Sequence, residues 1–131
     1  MTAQPLDKHS WVAALRALER RLADNDDDAD LVMLLSAAND LLQDAPLAVV
    51  ELVGPLPDKF GFDGFLAAGA TESAALRLLG KQGGYMISYG QSQLHMVSFI
   101  LPGMESEVSA EHSVLAQAAL KALVAALLEL E

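Results

Sequence analysis

Apolar residues near the N-terminus recur at helical spacing. After Pro5 they return every three or four positions, and arginine and glutamate side chains fill most of the positions between them. This pattern predicts an amphipathic helix with one buried face, and either Asp7 or Ser10 can cap its N-terminus. The run of acidic residues at 24–28 predicts a solvated turn after the helix. The apolar stripe consists of Trp11, Ala14, Leu15, Leu18 and Leu22.

The segment 30–45 has two interpretations. Its leucines recur at helical spacing, and the acidic residues before it suit the positive N-terminal end of a helix. In the alternative, two short strands at 31–37 and 41–45 are joined by a turn at 38–40. The local pattern favours the helix.

A strand is predicted at 47–53. This segment is apolar and partly β-branched, and the turn-forming sequence Gly54-Pro55-Leu56-Pro57 follows it. The next segment, 58–69, is punctuated by glycines and predicts an irregular connection. It carries three aromatic side chains, those of Phe60, Phe62 and Phe65.

A short helix and a β-hairpin follow. The helix spans 72–81, and Thr71 can cap it. Two apolar segments at 85–89 and 94–101 flank a turn at 90–93, which is the pattern of a hairpin. Both faces of the second strand are mostly apolar, so we expect the sheet to be covered on both sides.

The last predicted element is a long helix. It opens at Ser109-Ala110-Glu111 and runs to about Glu129, and between 114 and 128 only Gln117 and Lys121 are strongly polar. A helix that is apolar nearly all round is either central in a core or shared with a second subunit. Its packing seam is predicted to consist of Ala116, Leu120, Leu123, Leu127 and Leu130.

The composition indicates an aliphatic core in one domain. The chain has 131 residues, a length that fits a single domain. Hydrophobic residues make up 53%, but aromatic residues only 5%, so alanine and leucine must supply most of the core. We therefore expect one α+β domain over 1–131, with an antiparallel sheet, an N-terminal helix, a short middle helix and a long C-terminal helix.

The charge argues against two classes of binding partner, and the cysteine content indicates the compartment. With 18 acidic and 8 basic residues the formal net charge is −10, which argues against binding to nucleic acids or anionic membranes. The acidity suits a basic or neutral partner. The sequence contains no cysteine, in agreement with a reducing compartment. We find neither a signal-peptide pattern nor an apolar run of about 20 residues, so a soluble cytoplasmic protein is expected.

The chemistry-bearing residues form no recognisable motif. His9, His95 and His112 are far apart and have no second ligand one helical turn away. The acidic run 24–30 lacks the glycine and closing glutamate of a calcium loop, and Gly80-Lys81-Gln82 lacks the upstream glycines of a phosphate loop. We therefore expect no catalytic residues, no metal site and no cofactor. The chain is not expected to be an enzyme, although a site assembled only in space stays an alternative.

What remains is apolar surface that could bind protein. Phe60, Phe62 and Phe65 lie in a connection where the demand for core residues is low, so they are either ordinary core or part of a partner-binding surface. An unpaired strand edge can in addition accept an extended peptide.

Three segments carry a resemblance to a known family. Residues 47–57, LAVVELVGPLP, look like the third strand and following turn of the class I type III secretion chaperones. Residues 74–89, AALRLLGKQGGYMISY, resemble their second helix, glycine break and fourth strand. Residues 93–102 are similar to their fifth strand, and a long C-terminal helix follows in both cases.

The resemblance implies a fold and a function. The element order would be α-β-β-β-α-β-β-α, with two strands rather than a helix in 30–45. The protein would be a homodimer that keeps an extended segment of a secreted partner protein competent for export. Its dimer interface would contain Leu76, Leu79, Met86 and Ile87, and its partner-binding groove Leu15, Leu18, Leu22, Val49 and Leu52.

A second class of function stays open. Compact α+β folds also serve as small-molecule sensors, with a ligand pocket beside the sheet. In that case the aromatic segment from Phe60 to Phe65 would form a lid over the pocket.

Overall fold

A computed structural model describes residues 7–24, 30–53, 59–79, 83–90 and 92–130. These residues form six helices and one antiparallel sheet of three strands, which confirms the α+β class and the helices at both ends of the chain. The helices are α1 (Lys8–Asp24), α2 (Leu31–Gln43), α3 (Leu47–Val53), α4 (Lys59–Ala67), α5 (Thr71–Leu79) and α6 (Leu115–Glu129). The strands are β1 (Gly84–Tyr89), β2 (His95–Ile100) and β3 (Val108–His112).

Helix α1 is the amphipathic helix that the sequence predicts. Asp7 caps it, because its carboxylate oxygens accept hydrogen bonds from the backbone N and the Oγ of Ser10, at 2.9 and 3.0 Å. The indole Nε1 of Trp11 donates to the carbonyl oxygen of Leu41 at 2.8 Å and thereby ties α1 to α2. The predicted turn at 24–28 lies almost wholly outside the described residues. Of the predicted stripe, Trp11, Leu15, Leu18 and Leu22 are buried.

The segment 30–45 is helical, so the interpretation as two strands is wrong. The leucines of α2 lie on one face that packs against α1 and α5. Burying this face requires the 3.6-residue period, since a strand would divide the same leucines between two faces. The buried residues of α2 are Leu31, Leu34, Leu35, Ala38, Asn39 and Leu42.

The strand predicted at 47–53 is also wrong, because this segment forms α3. The backbone N of Val50 donates to the carbonyl oxygen of Pro46, which starts the helix at the proline. Ala45 and Val49, four residues apart, are both buried, whereas Leu47 is 70% exposed. This burial has a helical period, and packing on one side overrides the β propensity of the valines.

The glycine-punctuated segment 58–69, predicted to be irregular, contains α4. Gly69 ends this helix in the left-handed region, at φ +76°. Its N–H donates to the carbonyl oxygen of Leu66 at 3.1 Å, and the N–H of Ala70 donates to that of Phe65 at 2.8 Å. These two bonds form a Schellman motif, so this glycine terminates a helix rather than loosening a loop.

The middle helix and the hairpin are confirmed. Helix α5 starts at Thr71, and its predicted last two residues, 80 and 81, lie outside the described part of the chain. Strand β1 pairs with β2 in a register that places Tyr85 opposite Phe99 and Ile87 opposite Val97. Gly83 lets the chain pass close to β2, because a Cβ at this position would lie 2.7 Å from Cε1 of Phe99.

The start of the last helix is predicted too early. The segment 108–112 forms β3, which pairs antiparallel with β2, and α6 begins only at Leu115. Ala110 lies opposite Val97 in the register, and alternate residues of β3 are half-buried. A period of two over only five residues is easily lost beside a long apolar helix, which explains the error.

Helix α6 is the centre of the molecule. The sheet packs on one side of it through β2 and β3, and α1 and α5 pack on its other side. The sequence allowed this helix to be either central in a core or shared with a second subunit. Its buried side chains place it in the core of the single chain. The predicted seam is buried at Ala116, Leu120, Leu123 and Leu127, and Leu130 is half-buried.

Candidate protein-binding surface

Strand β1 is an edge strand that is exposed along its whole length. The strand order of the sheet is β1-β2-β3, so β1 pairs on one side only within the described chain. All six of its residues, GYMISY, are exposed, and none carries a charge. Natural proteins normally protect such an edge with lysine, proline or a bulge. The backbone groups on the free side of β1 are therefore open to another extended chain.

The inner face of β1 extends beyond the helical layer. Tyr85, Ile87 and Tyr89 lie on the same sheet face as Val97 and Phe99. On β2 these inner residues are completely buried, because α6 packs against β2 and β3. On β1 the side chains of Tyr85 and Tyr89 remain 46% and 61% exposed. The aromatic rings thus lie just beyond the layer that covers the rest of the inner face.

The outer face of the sheet has no covering layer among the described residues. Met86 on β1 is 70% exposed and Met96 on β2 is 38% exposed. On the same face, the hydroxyl oxygens of Ser98 on β2 and Ser109 on β3 are hydrogen-bonded at a distance of 2.9 Å. The prediction that both faces are covered is therefore wrong for this face. Flexible thioether side chains suit a surface that adapts to different partners.

Five large exposed side chains lie on or next to β1, three on the inner face of the sheet and two on the outer face. We call Tyr85, Met86, Ile87, Tyr89 and Met96 the β1 surface. Their side chains are between 37 and 70% exposed. Exposed apolar side chains that are gathered at one place often mark a binding site.

The predicted dimer residues divide between this surface and the core. Met86 and Ile87 belong to the β1 surface. Leu79 is buried and Leu76 is half-buried against the same core, so α5 offers little apolar side chain to a second subunit. The structure thus brings only the strand half of the predicted interface to the exterior.

The predicted partner-binding residues do not form an open groove. Val49 and Phe62 are buried, and Phe65 is half-buried with the Arg77 guanidinium 5.5 Å from its ring centre. Leu52 and Phe60 have side chains outside the described part of the structure. Three further predicted residues, Leu15, Leu18 and Leu22, are at most 3% exposed and belong to the core. A partner cannot reach this core without unfolding it.

Tyr85, Tyr89 and Met96 were missed by the sequence analysis. A signal for the two tyrosines is present, since GYMISY has large side chains at every second position, Tyr85, Ile87 and Tyr89, and no charge. The pattern shows that such a strand needs cover, but it does not show whether the cover comes from the same chain. The position of α6 decides that.

The segment that contains the sheet, from residue 83 to residue 120, also has no lysine or arginine. Its acidic residues are Glu105, Glu107 and Glu111. All three carboxylates lie on or beside β3, at the opposite edge of the sheet from β1. The β1 surface therefore has no lysine, arginine or acidic side chain. The carboxylates of the sheet lie at its other edge, so a partner that covers β1 does not have to desolvate them.

The structure shows no metal cluster in the described residues, since no group of three histidines or acidic side chains comes together there. His95 and His112 are opposite each other in the sheet, and the Nδ1 of His112 accepts a hydrogen bond from Val114 N at 2.9 Å. That nitrogen therefore supports the turn into α6. The expectation that the chain is not an enzyme stays a prediction.

Three clefts of the described chain are small. Their volumes are about 120, 250 and 190 Å³, whereas pockets for drug-sized ligands have roughly 300–1,000 Å³. The first is apolar and lies between α1, α3 and α6, with Trp11 and Val49 in its wall. None of the three is lined by the phenylalanines that were considered as a lid.

Two further findings concern membrane spans and known proteins. In the part that the structure describes, every helix is too short or too polar to cross a membrane. Comparisons with protein-family models, curated protein sequences and solved structures find no match to this chain. The resemblance to type III secretion chaperones stays a prediction, and two of the segments expected to be strands are helices.

Proposed function

We propose that this chain is a non-enzymatic, chaperone-like protein that binds an extended segment of another polypeptide along β1. The observation that carries the proposal is that β1 is an uncharged edge strand with all six residues exposed. An extended peptide added to such an edge gains backbone hydrogen bonds, and pockets for its alternate side chains give it selectivity.

The geometry defines how the bound segment would contact the protein. It would lie about 4.8 Å beyond β1 as a further strand of the sheet. Side chains on its inner face would pack beside Tyr85, Ile87 and Tyr89. Side chains on its outer face would contact Met86. A segment with apolar residues at alternate positions on at least its inner face therefore fits best.

This proposal keeps the function implied by the resemblance but moves its site. Leu15, Leu18 and Leu22 are core residues, so we place the partner at the sheet edge instead of a groove on α1. We propose the cytoplasm as the compartment, since the absence of cysteine agrees with reducing conditions. A secreted protein that must stay extended before export is the partner class that the resemblance suggests.

Labelled synthetic peptides test the proposal. Ten-residue peptides with alternating valine and serine are titrated with the protein, and binding is followed by fluorescence anisotropy. We expect Ile87→Lys to weaken binding at least about tenfold, because a charge at the edge discourages strand addition. Met33→Lys is the matched control, since Met33 is 62% exposed on α2, away from the sheet.

Peptide N-methylation distinguishes strand addition from general stickiness. Methyl groups on alternate amides block one edge of the peptide strand and leave the other edge free. Even if the peptide can bind in either direction, methylating both alternate sets should abolish binding. Equal binding by unmodified and fully methylated peptides, or by wild type and Ile87→Lys, would contradict the proposed site.

A further inference from the structure

We infer that the cleft between α1, β3 and α6 binds a free α-amino acid with an aliphatic side chain. The cleft, called the α1–α6 cleft below, has a volume of about 250 Å³. It lies beside β3, at the opposite edge of the sheet from β1. This site is therefore separate from the strand to which we assign partner binding, and the inference does not rest on the proposed function.

Helix α1 supplies a carboxylate and part of an apolar wall. Glu19, Leu22 and Ala23 line the cleft, and their spacing of three and four residues places them on one face of the helix. Leu22 is buried and Glu19 is exposed, so the apolar part of this wall lies deeper than the carboxylate. The C-terminal end of a helix also carries a negative partial charge. This side of the cleft therefore favours an ammonium group.

Helix α6 supplies the opposite charge. Lys121, Val124 and Ala125 line the cleft from the other side at the same spacing. Lys121 is half-buried, and it is the only charged residue between Val114 and Leu128. Among the described residues its ammonium group forms neither a hydrogen bond nor an ion pair. A carboxylate is the ligand group that such a cation binds best.

The size and the walls of the cleft suit a ligand as large as leucine. Ala23, Ala110 and Ala125 have short side chains, which leaves space between the three packed elements. An apolar cavity of about 150 Å³ binds benzene, so in proportion 250 Å³ suits a ligand of about ten non-hydrogen atoms. The side chains of Leu22 and Val124 are buried and offer an aliphatic side chain an apolar wall.

The pair of charges selects a zwitterion over simpler ligands. A carboxylate without an amine would pair with Lys121 but be repelled by Glu19, and an amine without a carboxylate would meet the reverse situation. The net charge of −10 also repels free anions, whereas a zwitterion has no net charge. An α-amino acid satisfies both charged groups at once, and its side chain covers the apolar wall.

A titration followed by NMR tests the site. Adding L-leucine to isotope-labelled protein should shift the backbone amide signals of Ala110 and Val124 with one common dissociation constant. We expect Lys121→Met and Glu19→Gln each to raise this constant at least about tenfold, because each variant removes a charge-assisted contact. Glu72→Gln, at an exposed position of α5, is the matched control and should leave the constant unchanged.

Two results of this titration would overturn the inference. One is the absence of any shift in the wild type at millimolar leucine. The other is a dissociation constant that neither Lys121→Met nor Glu19→Gln changes.

Leucine analogues that lack one charged group test the role of each residue. Isocaproate is leucine without the amine, and isoamylamine is leucine without the carboxylate. Both should bind at least about tenfold more weakly than leucine. Glu19→Gln should not weaken isocaproate binding further, and Lys121→Met should not weaken isoamylamine binding further. If Lys121→Met leaves isocaproate binding intact, the assigned roles are wrong.

Filling the cleft tests its location without changing a charge. Ala125→Leu should abolish leucine binding, whereas Ala125→Ser keeps the side chain small and should retain it. Thermal unfolding without ligand shows whether each variant is folded, and Ala23→Leu, at an exposed position of the opposite wall, replaces Ala125→Leu if that variant is unfolded. A folded filled variant that binds leucine as tightly as the wild type would contradict the site.

The same titration separates this inference from the proposed function. Ile87→Lys should weaken binding of the valine–serine peptide and leave the dissociation constant of leucine unchanged, because β1 and the α1–α6 cleft lie at opposite edges of the sheet. If leucine binds and the peptide does not, only the proposed function fails. If the peptide binds and leucine does not, only this inference fails.

Discussion

The buried amide of Gln117 joins two helices that are far apart in sequence. Its Nε2 donates to the carbonyl oxygen of Leu22 at 3.0 Å, and the side chain is completely buried in α6. Leu22 lies in the last turn of α1, where carbonyl groups have no partner within the helix. One polar residue inside an apolar helix thus satisfies the end of another helix.

We expect Gln117→Leu to lower the free energy of unfolding by about 1–3 kcal/mol, because the carbonyl of Leu22 loses its buried donor. Chemical denaturation with fitted midpoint and slope measures the change. Glu129→Leu, at an exposed position of the same helix, is the control and should change stability by less than about 0.5 kcal/mol. If Gln117→Leu leaves the free energy of unfolding unchanged, water or another group must replace the amide as the donor to Leu22.

Asp7 links the stability of α1 to pH. Hydrogen bonds from the backbone and then the side chain of Ser10 lower the pKa of the Asp7 carboxyl below its ordinary value. The folded state therefore favours the charged form. The stabilisation is complete above the ordinary pKa of about 4 and is lost as the pH falls through the lowered value.

We expect Asp7→Asn to make thermal unfolding less dependent on pH below about pH 4, since the amide oxygen can still accept the Ser10 N–H but does not titrate. Melting curves between acidic and neutral pH, followed by circular dichroism at 222 nm, measure this. Asp7→Ala should lower the unfolding temperature at neutral pH as well. Identical pH profiles for wild type and Asp7→Asn would exclude this carboxylate as a source of the dependence.

At the scale of elements, α4 shows two glycines with opposite roles. Gly64 lies inside the helix, and a Cβ built there meets no heavy atom within 4 Å. Gly69 has the same open space but a φ of +76°. The first glycine weakens the helix through its backbone entropy, whereas the second is required by the helix end.

The matched pair Gly64→Ala and Gly69→Ala should therefore shift stability in opposite directions. We expect Gly64→Ala to raise the free energy of unfolding by about 0.5–1 kcal/mol and Gly69→Ala to lower it by about 1–2 kcal/mol. Urea denaturation of both variants beside the wild type gives the two values. Shifts of the same sign would show that the Schellman motif does not control this helix end.

The strands differ in how much of their surface the fold covers. The inner residues Val97 and Phe99 of β2 are completely buried, whereas the inner residues of β1 stay exposed. The difference arises because α6 packs on β2 and β3. Strand β1, with its large apolar and aromatic side chains, therefore lies beyond the part of the sheet that α6 covers.

At the scale of the molecule, the fold has an asymmetric arrangement of layers. The core continues from the sheet through α6 to α1, α2, α4 and α5. The outer face of the sheet and the inner face of β1 receive no such layer among the described residues. The proposal about partner binding rests on this asymmetry, since it is what leaves β1 available to another chain.

The local sequence pattern is sufficient to predict those elements whose period is long and unambiguous. The stripe of α1, the alternating strands of the hairpin and the apolar C-terminal helix each repeat a period often enough to define its structure. The α+β class follows from these elements. So does the presence of an apolar strand that needs a covering layer.

The conformation of the short and ambiguous segments depends on packing between elements. The helical state of 47–53 depends on one side of α3 being buried, and β3 depends on the pairing of 108–112 with β2. Whether an apolar residue is core or surface was likewise undetermined. Leu15 and Ile87 are both apolar residues in regular elements, but one faces the core under α6 while the other lies beyond the edge of that helix. Whether a side chain is buried depends on which helices and strands pack over it, and the local sequence pattern does not contain that information.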